Sequence, residues 1–244
     1  MSGPRWYTYL TKVLTEHDKS SRKSLYQIAT IDSANRPHVR SQINRGFLTA
    51  PDLPAFPVLL TTTDSRSPKI EQLGHSNLVE ICWWIDGSSD QFRILGRSRN
   101  ILSTPTTPKD EDDCIALKAL DAAHFDWEAK RHELFNAASS HMRASWCRPV
   151  PGSVLKGGYD EAKNWVESVK KEGEAETDEE KKFTAQALGN FALMAIEPLE
   201  VDWVQMGIVP NRRTKYWREG RCAPILGPSA TRHTTPTGSL RNKW

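Results

Sequence analysis

The stretch "LLTTTDSRSPKIEQL", Leu59 to Leu73, is where the chain changes from strand to helix. Two leucines followed by Thr61, Thr62 and Thr63 have the character of a strand end. Ser67 to Leu73 reads as a helix start, with Pro68 in the first turn, where its missing N–H would have been unpaired anyway. Ser65, Arg66 and Ser67 stand at the junction, and Lys69 falls inside the first helical turn. A cation there opposes the helix dipole unless an anion lies between them. Arg66 offers a fork and Lys69 a point charge to phosphate oxygens. A ligand phosphate is one reading; a capping serine flanked by solvated cations is the other. The stretch alone does not choose.

The flanking sequence sets the fold. Upstream, "SLYQIATID" is strand-like, "SANRP" is a turn, and "HVRSQINRGFL" alternates as a half-buried strand does. Val39, Gln42, Asn44 and Phe47 break that alternation, which predicts a bulge or bend. "PAFPVLLTTT" makes a third strand, and "NLVEICWWID" and "QFRILGRSRNIL" a fourth and fifth. Short turns separate them, apart from the helix at Pro68. Five such strands predict a small antiparallel barrel or sandwich. Trp6, Leu10, Val13 and Leu14 predict an amphipathic helix before them. Adjacent Trp83 and Trp84 must face opposite sides of a strand, one of them the core.

From Pro108 to Asn190 the character changes. Ile115, Leu117, Leu120, Phe125, Trp127, Leu134 and Phe135 lie among charges in a helical pattern. "RPVPGSVLKGG" interrupts it, and Tyr159 to Lys171 resumes it. "KKEGEAETDEEKK" reads as a solvated loop, after which Thr177 and Glu180 predict a capping box and a new helix. "FALMAIEPLEVDWVQM" returns to strand with a proline-marked turn, and "RTKYWRE" is a last strand. The expectation is one domain over residues 1–228, mainly β with α insertions. It has an N-terminal helix and a helical insertion at about 105–189, and residues 229–244 form a mobile tail.

Composition narrows the function. Of 244 residues, 38% are hydrophobic and 26% charged, as in ordinary soluble domains. A net charge of +3 argues against a dedicated nucleic-acid binder, including a single-strand binder on an aromatic β-face. Cys82, Cys114, Cys147 and Cys222 are widely spaced and read as reduced thiols. There is no signal-peptide layout and no apolar run near the ~20 residues that span a bilayer. A cytosolic location is expected, with the nucleus as the alternative. His124 and His132 are eight residues apart, too far for one helical metal site. GxSxG, HExxH and P-loop motifs are absent. Two further cationic segments carry Arg36, Arg40 and Arg45, and Arg93, Arg97 and Arg99. Three such segments in one small sheet make convergence on an anionic ligand a reading beside that of rim charges.

These segments resemble the pyridoxamine 5′-phosphate oxidase-like flavoproteins, which have an FMN-binding split β-barrel, and most closely their Alr4036-type branch. The resemblance rests on "YQIATIDSANRPHVRSQINRGFL", "LLTTTDSRSPKIEQL" and "NLVEICWWIDGSSDQFRILGRSRNI", and returns more weakly in "MRASWCRPVPG", "EPLEVDWVQM" and "NRRTKYW". It implies an antiparallel, Greek-key-like split barrel binding FMN at a homodimer interface. Arg40 would approach the flavin or its phosphate, and Thr61, Thr62 and Thr63 would line the ring edge. Ser65, Arg66 and Lys69 would grip the 5′-phosphate, and Gln72 would lie near the ribityl chain. Gln91 and Arg93 would come from the partner subunit or a facing strand. The oxidases place Lys directly after their Ser-Arg pair, where this chain has Ser67. Their C-terminal Arg-x-His is missing from "NRRTKYW", although Arg212 and Arg213 fall in that region. FMN binding is therefore better supported than pyridoxamine phosphate oxidation. The resemblance implies an FMN-dependent oxidoreductase of unknown substrate, with an FMN- or ligand-binding protein without turnover as the alternative.

Overall fold

The computed structural model describes residues 3–16, 24–105, 111–217 and, as backbone, 239–243. The described strands are β1 (Leu25–Ile31), β2 (Pro37–Ile43), β3 (Gly46–Ala50), β4 (Leu53–Asp64), β5 (Leu78–Ile85), β6 (Asp90–Ile101), β7 (Phe191–Gln205), β8 (Arg212–Trp217) and β9 (Ser239–Lys243). They form one sheet in the order β2-β1-β5-β6-β7-β4-β3, with β8 beside β7 and β9 on β8. All pairs are antiparallel except β8 with β9. The sheet curls into the expected split β-barrel. Its split is closed by separate hydrogen bonds between the end of β2 and β4. Thr61 Oγ1 donates to the Ile43 carbonyl at 2.7 Å, Gln42 Nε2 to that of Thr62, and the Arg45 amide to that of Leu60 at 2.7 Å.

Helix α1 (Arg5–Glu16) closes one end of the barrel. Its Trp6, Leu10 and Val13 are buried against Tyr26, Ile28, Leu59 and Trp83. Helix α2 (Pro68–His75) follows β4 directly. The insertion supplies α3 (Ile115–Ala122), α4 (Trp127–Ala137), α5 (Ser140–Ser145), a 3₁₀ turn (Gly158–Asn164) and α6 (Asp178–Asn190). Helix α3 packs with β4 and β7 in a second core, and Phe135, Trp146 and Phe191 anchor a third between the later helices. The first is tied down electrostatically. Glu197 of β7 is fully buried, and its carboxylate accepts the first amides of α3, from Ile115, Ala116 and Leu117, at 2.9, 3.0 and 2.8 Å. A buried carboxylate is tolerated there because three N–H groups and the helix dipole replace water.

Several expectations hold. Trp83 is fully buried while Trp84 is 38% exposed. Thr177 and Glu180 form the reciprocal capping box of α6. "HVRSQINRGFL" does bend, and so sharply that it becomes two strands, β2 and β3, with Gly46 at φ +115°. Pro198 marks no turn: β7 runs through it. It pairs with Gly96 at a register shift, a bulge where a missing N–H breaks no ladder bond. Gly96 is required there, because a Cβ would come within 2.8 Å of the Glu197 carbonyl. Tyr159 to Lys171 is not a helix beyond the 3₁₀ turn, and the chain beyond Trp165 has no regular structure and buries Val169 in the third core. Within the charge run, Glu172 is not merely solvated, since both its oxygens lie 2.8 Å from His132 Nδ1. Of the tail, Ser239–Lys243 pair with β8 rather than hanging free; 229–238 lie outside the described residues, as does Cys222. No helix among the described residues is long and apolar enough to cross a membrane, and none of their His, Cys, Asp and Glu residues group as a metal site.

Candidate cofactor site

The site forms where the inner face of β1 and β2 meets the end of β4 and the first turns of α2. Period-two alternation puts Arg40 and Gln42 on one face of β2, across from Ile28 and Tyr26 of β1. Helix α2 turns Lys69, Gln72 and Leu73 inward. Lys69 Nζ donates to Thr63 Oγ1 at 2.6 Å and to Gln42 Oε1 at 3.2 Å. Arg40 Nη1 donates to Thr30 Oγ1 at 2.6 Å and to the His38 carbonyl at 2.9 Å, and Nη2 to Gln72 Oε1 at 2.8 Å. The Thr30 hydroxyl donates to the same Gln72 oxygen at 2.6 Å. Arg45 is a further cation nearby, but its Nε lies 3.4 Å from Thr62 Oγ1 and it has no bond to Lys69 or Arg40.

Charge matching separates these cations from the others. Lys69 is only 7% exposed, and among the described residues no carboxylate oxygen lies within 4 Å of it, of Arg40 or of Arg45. Burial, then the neighbouring Arg40, lower the Lys69 pKa to about 8, with Asp64 pulling weakly the other way. Burial also lowers the pKa values of Arg40 and Arg45. The β6 arginines are different. Arg93 pairs with Asp202, Arg97 with Asp113, and Arg99 with both Glu111 and Asp121. Among the described cations of these segments, only the first group has no carboxylate partner.

The turn itself is well ordered by backbone and side-chain bonds. Ser67 occupies the N-cap position of α2 without a side-chain cap bond, and its Oγ lies 3.4 Å from Thr63 Oγ1. Its hydroxyl therefore faces the Lys69 cluster and not its own helix. The Ser65 amide donates to the Asn190 carbonyl at 2.8 Å. Arg66 points away from Lys69's partners, to Asp64 and to the carbonyls of Trp146 and Arg148. Thr61 and Thr63 share one face of β4 and Thr62 lies on the other. Gln91 and Arg93 lie on the outer sheet face, opposite Trp84 and Cys82 in the ladder, and in this chain do not meet Lys69. Arg93 borders a shallow groove with Gln27, Val39 and Cys82, and its Nε is buried without a partner. Arg213 is held by Asp202 at 2.9 and 2.6 Å. A cavity of about 740 Å³ lies beyond α2, lined by Ile70, Leu73, Ile101 and Trp127, and shares no residue with the cation cluster.

Of the residues expected from sequence, hydrogen bonds link Arg40 with Gln72 and Lys69 with Thr63. Thr61 shares the Thr63 face, Thr62 lies on the other, and Ser65, Arg66, Gln91 and Arg93 have no bond to these four. Sequence reasoning missed Thr30 and Gln42. The available signal for Gln42 was its spacing, two residues from Arg40 on the same strand.

Residues 3–102 match the family model described as pyridoxamine 5′-phosphate oxidase, FMN-binding domain. The pyridoxine/pyridoxamine 5′-phosphate oxidase 2 of Arabidopsis thaliana is 29% identical over 150 residues, 61% of this chain and 64% of that relative. The match thus spans less than two thirds of the relative's length. Among solved structures, a pyridoxamine 5′-phosphate oxidase-related, FMN-binding protein from Nostoc punctiforme aligns over 90% of this chain and 94% of its own, with a TM-score of 0.61 at 23% identity. PhzG from Burkholderia lata, in complex with tetrahydrophenazine-1-carboxylic acid, aligns over 90% and 89%, with a TM-score of 0.56 at 16% identity. Both of these likenesses are of fold. Over residues 3–102 the chain is thus similar to the FMN-binding domain of pyridoxamine 5′-phosphate oxidase, a domain whose cofactor is FMN.

Proposed function

We propose that this protein is an FMN-dependent oxidoreductase that holds the FMN phosphate at the start of α2. The observation that carries this reading is Lys69, a buried ammonium beside a second cation with only neutral acceptors. A phosphate dianion supplies the missing charge, and the α2 N-terminus adds its dipole. Lys69 and Arg40 would take the phosphate charge, with the Ser65 and Ser67 hydroxyls as neutral donors. Thr61, Thr62 and Thr63 would border the ring, and Gln72 the ribityl chain. When bound, the flavin supplies the electron transfer, and the chain's residues bind, orient and shield it.

Gln91 and Arg93 reach a flavin only if a second copy supplies them. A homodimer formed through the outer face of β2, β1, β5 and β6 would do so, and would cover Val39, 65% exposed, and Trp84. The substrate is left open, since "NRRTKYW" lacks Arg-x-His and Arg213 is already paired with Asp202. A second reading, a flavin-binding protein without turnover, is favoured by the cluster itself, which contains no carboxyl or imidazole to exchange protons with a substrate.

The test is titration of cofactor-free protein with FMN, followed by flavin fluorescence, with Lys69→Met alongside. Saturation at one FMN per chain, lost or weakened in K69M, is expected. A folded wild type that ignores FMN would refute the reading. Anaerobic reduction of the bound flavin by NADH or NADPH then separates an enzyme from a binder.

A further inference from the structure

The helical insertion reaches the turn between β4 and α2 through one side chain. Arg66 Nη1 donates to the Arg148 carbonyl at 2.9 Å and Nη2 to the Trp146 carbonyl at 3.2 Å. On its other side, Nε and Nη2 donate to the Asp64 carboxylate at 3.0 and 2.7 Å, and the Arg66 amide donates to the same carboxylate at 2.8 Å. Four of the guanidinium's five N–H groups are thus engaged. A second strut runs parallel to it. The Ser65 amide donates to the Asn190 carbonyl, and Asn190 Nδ2 donates to the Trp146 carbonyl at 2.8 Å. Trp146 is held in turn, 5% exposed, edge-on to Phe191 at 4.8 Å between ring centroids.

A guanidinium engaged in this way has little left to offer a phosphate, and its ion-pair partner Asp64 would repel one. We propose that Arg66 is a positioning residue. It clasps the Asp64–Pro68 turn to the end of α5, and thereby fixes where Lys69 and the α2 N-terminus point. The insertion is then part of the cofactor site although it contributes no residue to the cation cluster. This rests on the FMN reading of that cluster, and replaces a direct grip of Arg66 on the phosphate by an indirect one.

The two roles predict opposite results for conservative variants. A clasp needs a planar fork, which an ammonium cannot supply. Arg66→Lys should therefore weaken FMN binding as much as Arg66→Ala, by about tenfold, the loss expected for one charge-assisted hydrogen bond. Asp64→Asn should weaken it too, and should add nothing to Arg66→Ala in the double variant. A phosphate-binding Arg66 predicts that Lys substitutes well, and that Asp64→Asn, by removing a negative charge, tightens FMN binding. Either result would overturn the proposal. If Arg66→Ala fails to fold, Arg66→Lys and Asp64→Asn still decide. Wild-type protein that does not bind FMN would sink the cofactor reading separately. Thermal melts would then judge the clasp alone, non-additive losses for Asp64→Asn and Arg66→Lys supporting it and additive losses refuting it.

Discussion

Lys69 concentrates the physics of the site in one titratable group. Its pKa of about 8 lies below the value of about 10.4 that it has in an unfolded chain. Between those values the unfolded state holds more protons than the folded one, so the stability of cofactor-free protein rises with pH across that window. The gain is at most about 3 kcal/mol, read as a higher denaturation midpoint at pH 10 than at pH 7.5, and absent from Lys69→Met. FMN has the opposite dependence. Its phosphate favours the charged ammonium, so affinity should be level from about pH 6, where the phosphate's second proton leaves, to about pH 8, and fall above. Dissociation constants measured from pH 6.5 to 9.5 test this. An alkaline fall that persists in Lys69→Met would assign it to another group.

At the scale of elements, the anchoring of α3 is the most exposed to a single change. Glu197→Gln keeps the shape and removes the charge that three helix amides share, and should cost about 1–3 kcal/mol in urea unfolding. Thr177→Ala, removing one half of the α6 capping box, should cost about 1 kcal/mol. A loss for Glu197→Gln no larger than that for Thr177→Ala would mean that α3 is held by packing alone. The contrast also shows what could be read in advance. The capping box is local, four residues long, and was legible; so were the alternating strands and Pro68 at a helix start. Glu197 meets residues about 80 positions away, and no local pattern announces it. Pro198 misled for the same reason, because the bulge that accommodates it depends on Gly96 across the ladder. Tyr159 to Lys171 misled because its backbone bonds go to distant partners, Arg143 and Thr184 donating to the carbonyls of Val169 and Lys170, which no local spacing announces. Within the site, the cations were legible as charges near a helix start. Which of them lack a carboxylate was not, since that depends on where Glu111, Asp113, Asp121 and Asp202 arrive.

For the whole molecule, the proposal joins two copies and, within each, joins barrel to insertion. Val39→Glu, on the outer face of β2, should turn a dimer into monomer in light scattering and weaken FMN binding with it, because Gln91 and Arg93 would no longer be delivered. A monomeric wild type would remove the basis for that. The link to the insertion has its own signature in hydrogen exchange, which reports the free energy of local opening. FMN touching only the cation cluster would slow exchange in β2, β4 and α2. If Arg66 clasps the turn to Trp146 and Arg148, whatever stabilises the turn must also stabilise residues 140–148 and the end of α6 at Asn190. Protection should therefore spread into the insertion on adding FMN, and Arg66→Lys should confine it to the barrel even at saturating FMN. An insertion whose exchange ignores FMN in the wild type would make Arg66 a local brace of the turn, and the helices a separate body that shares only a core with it.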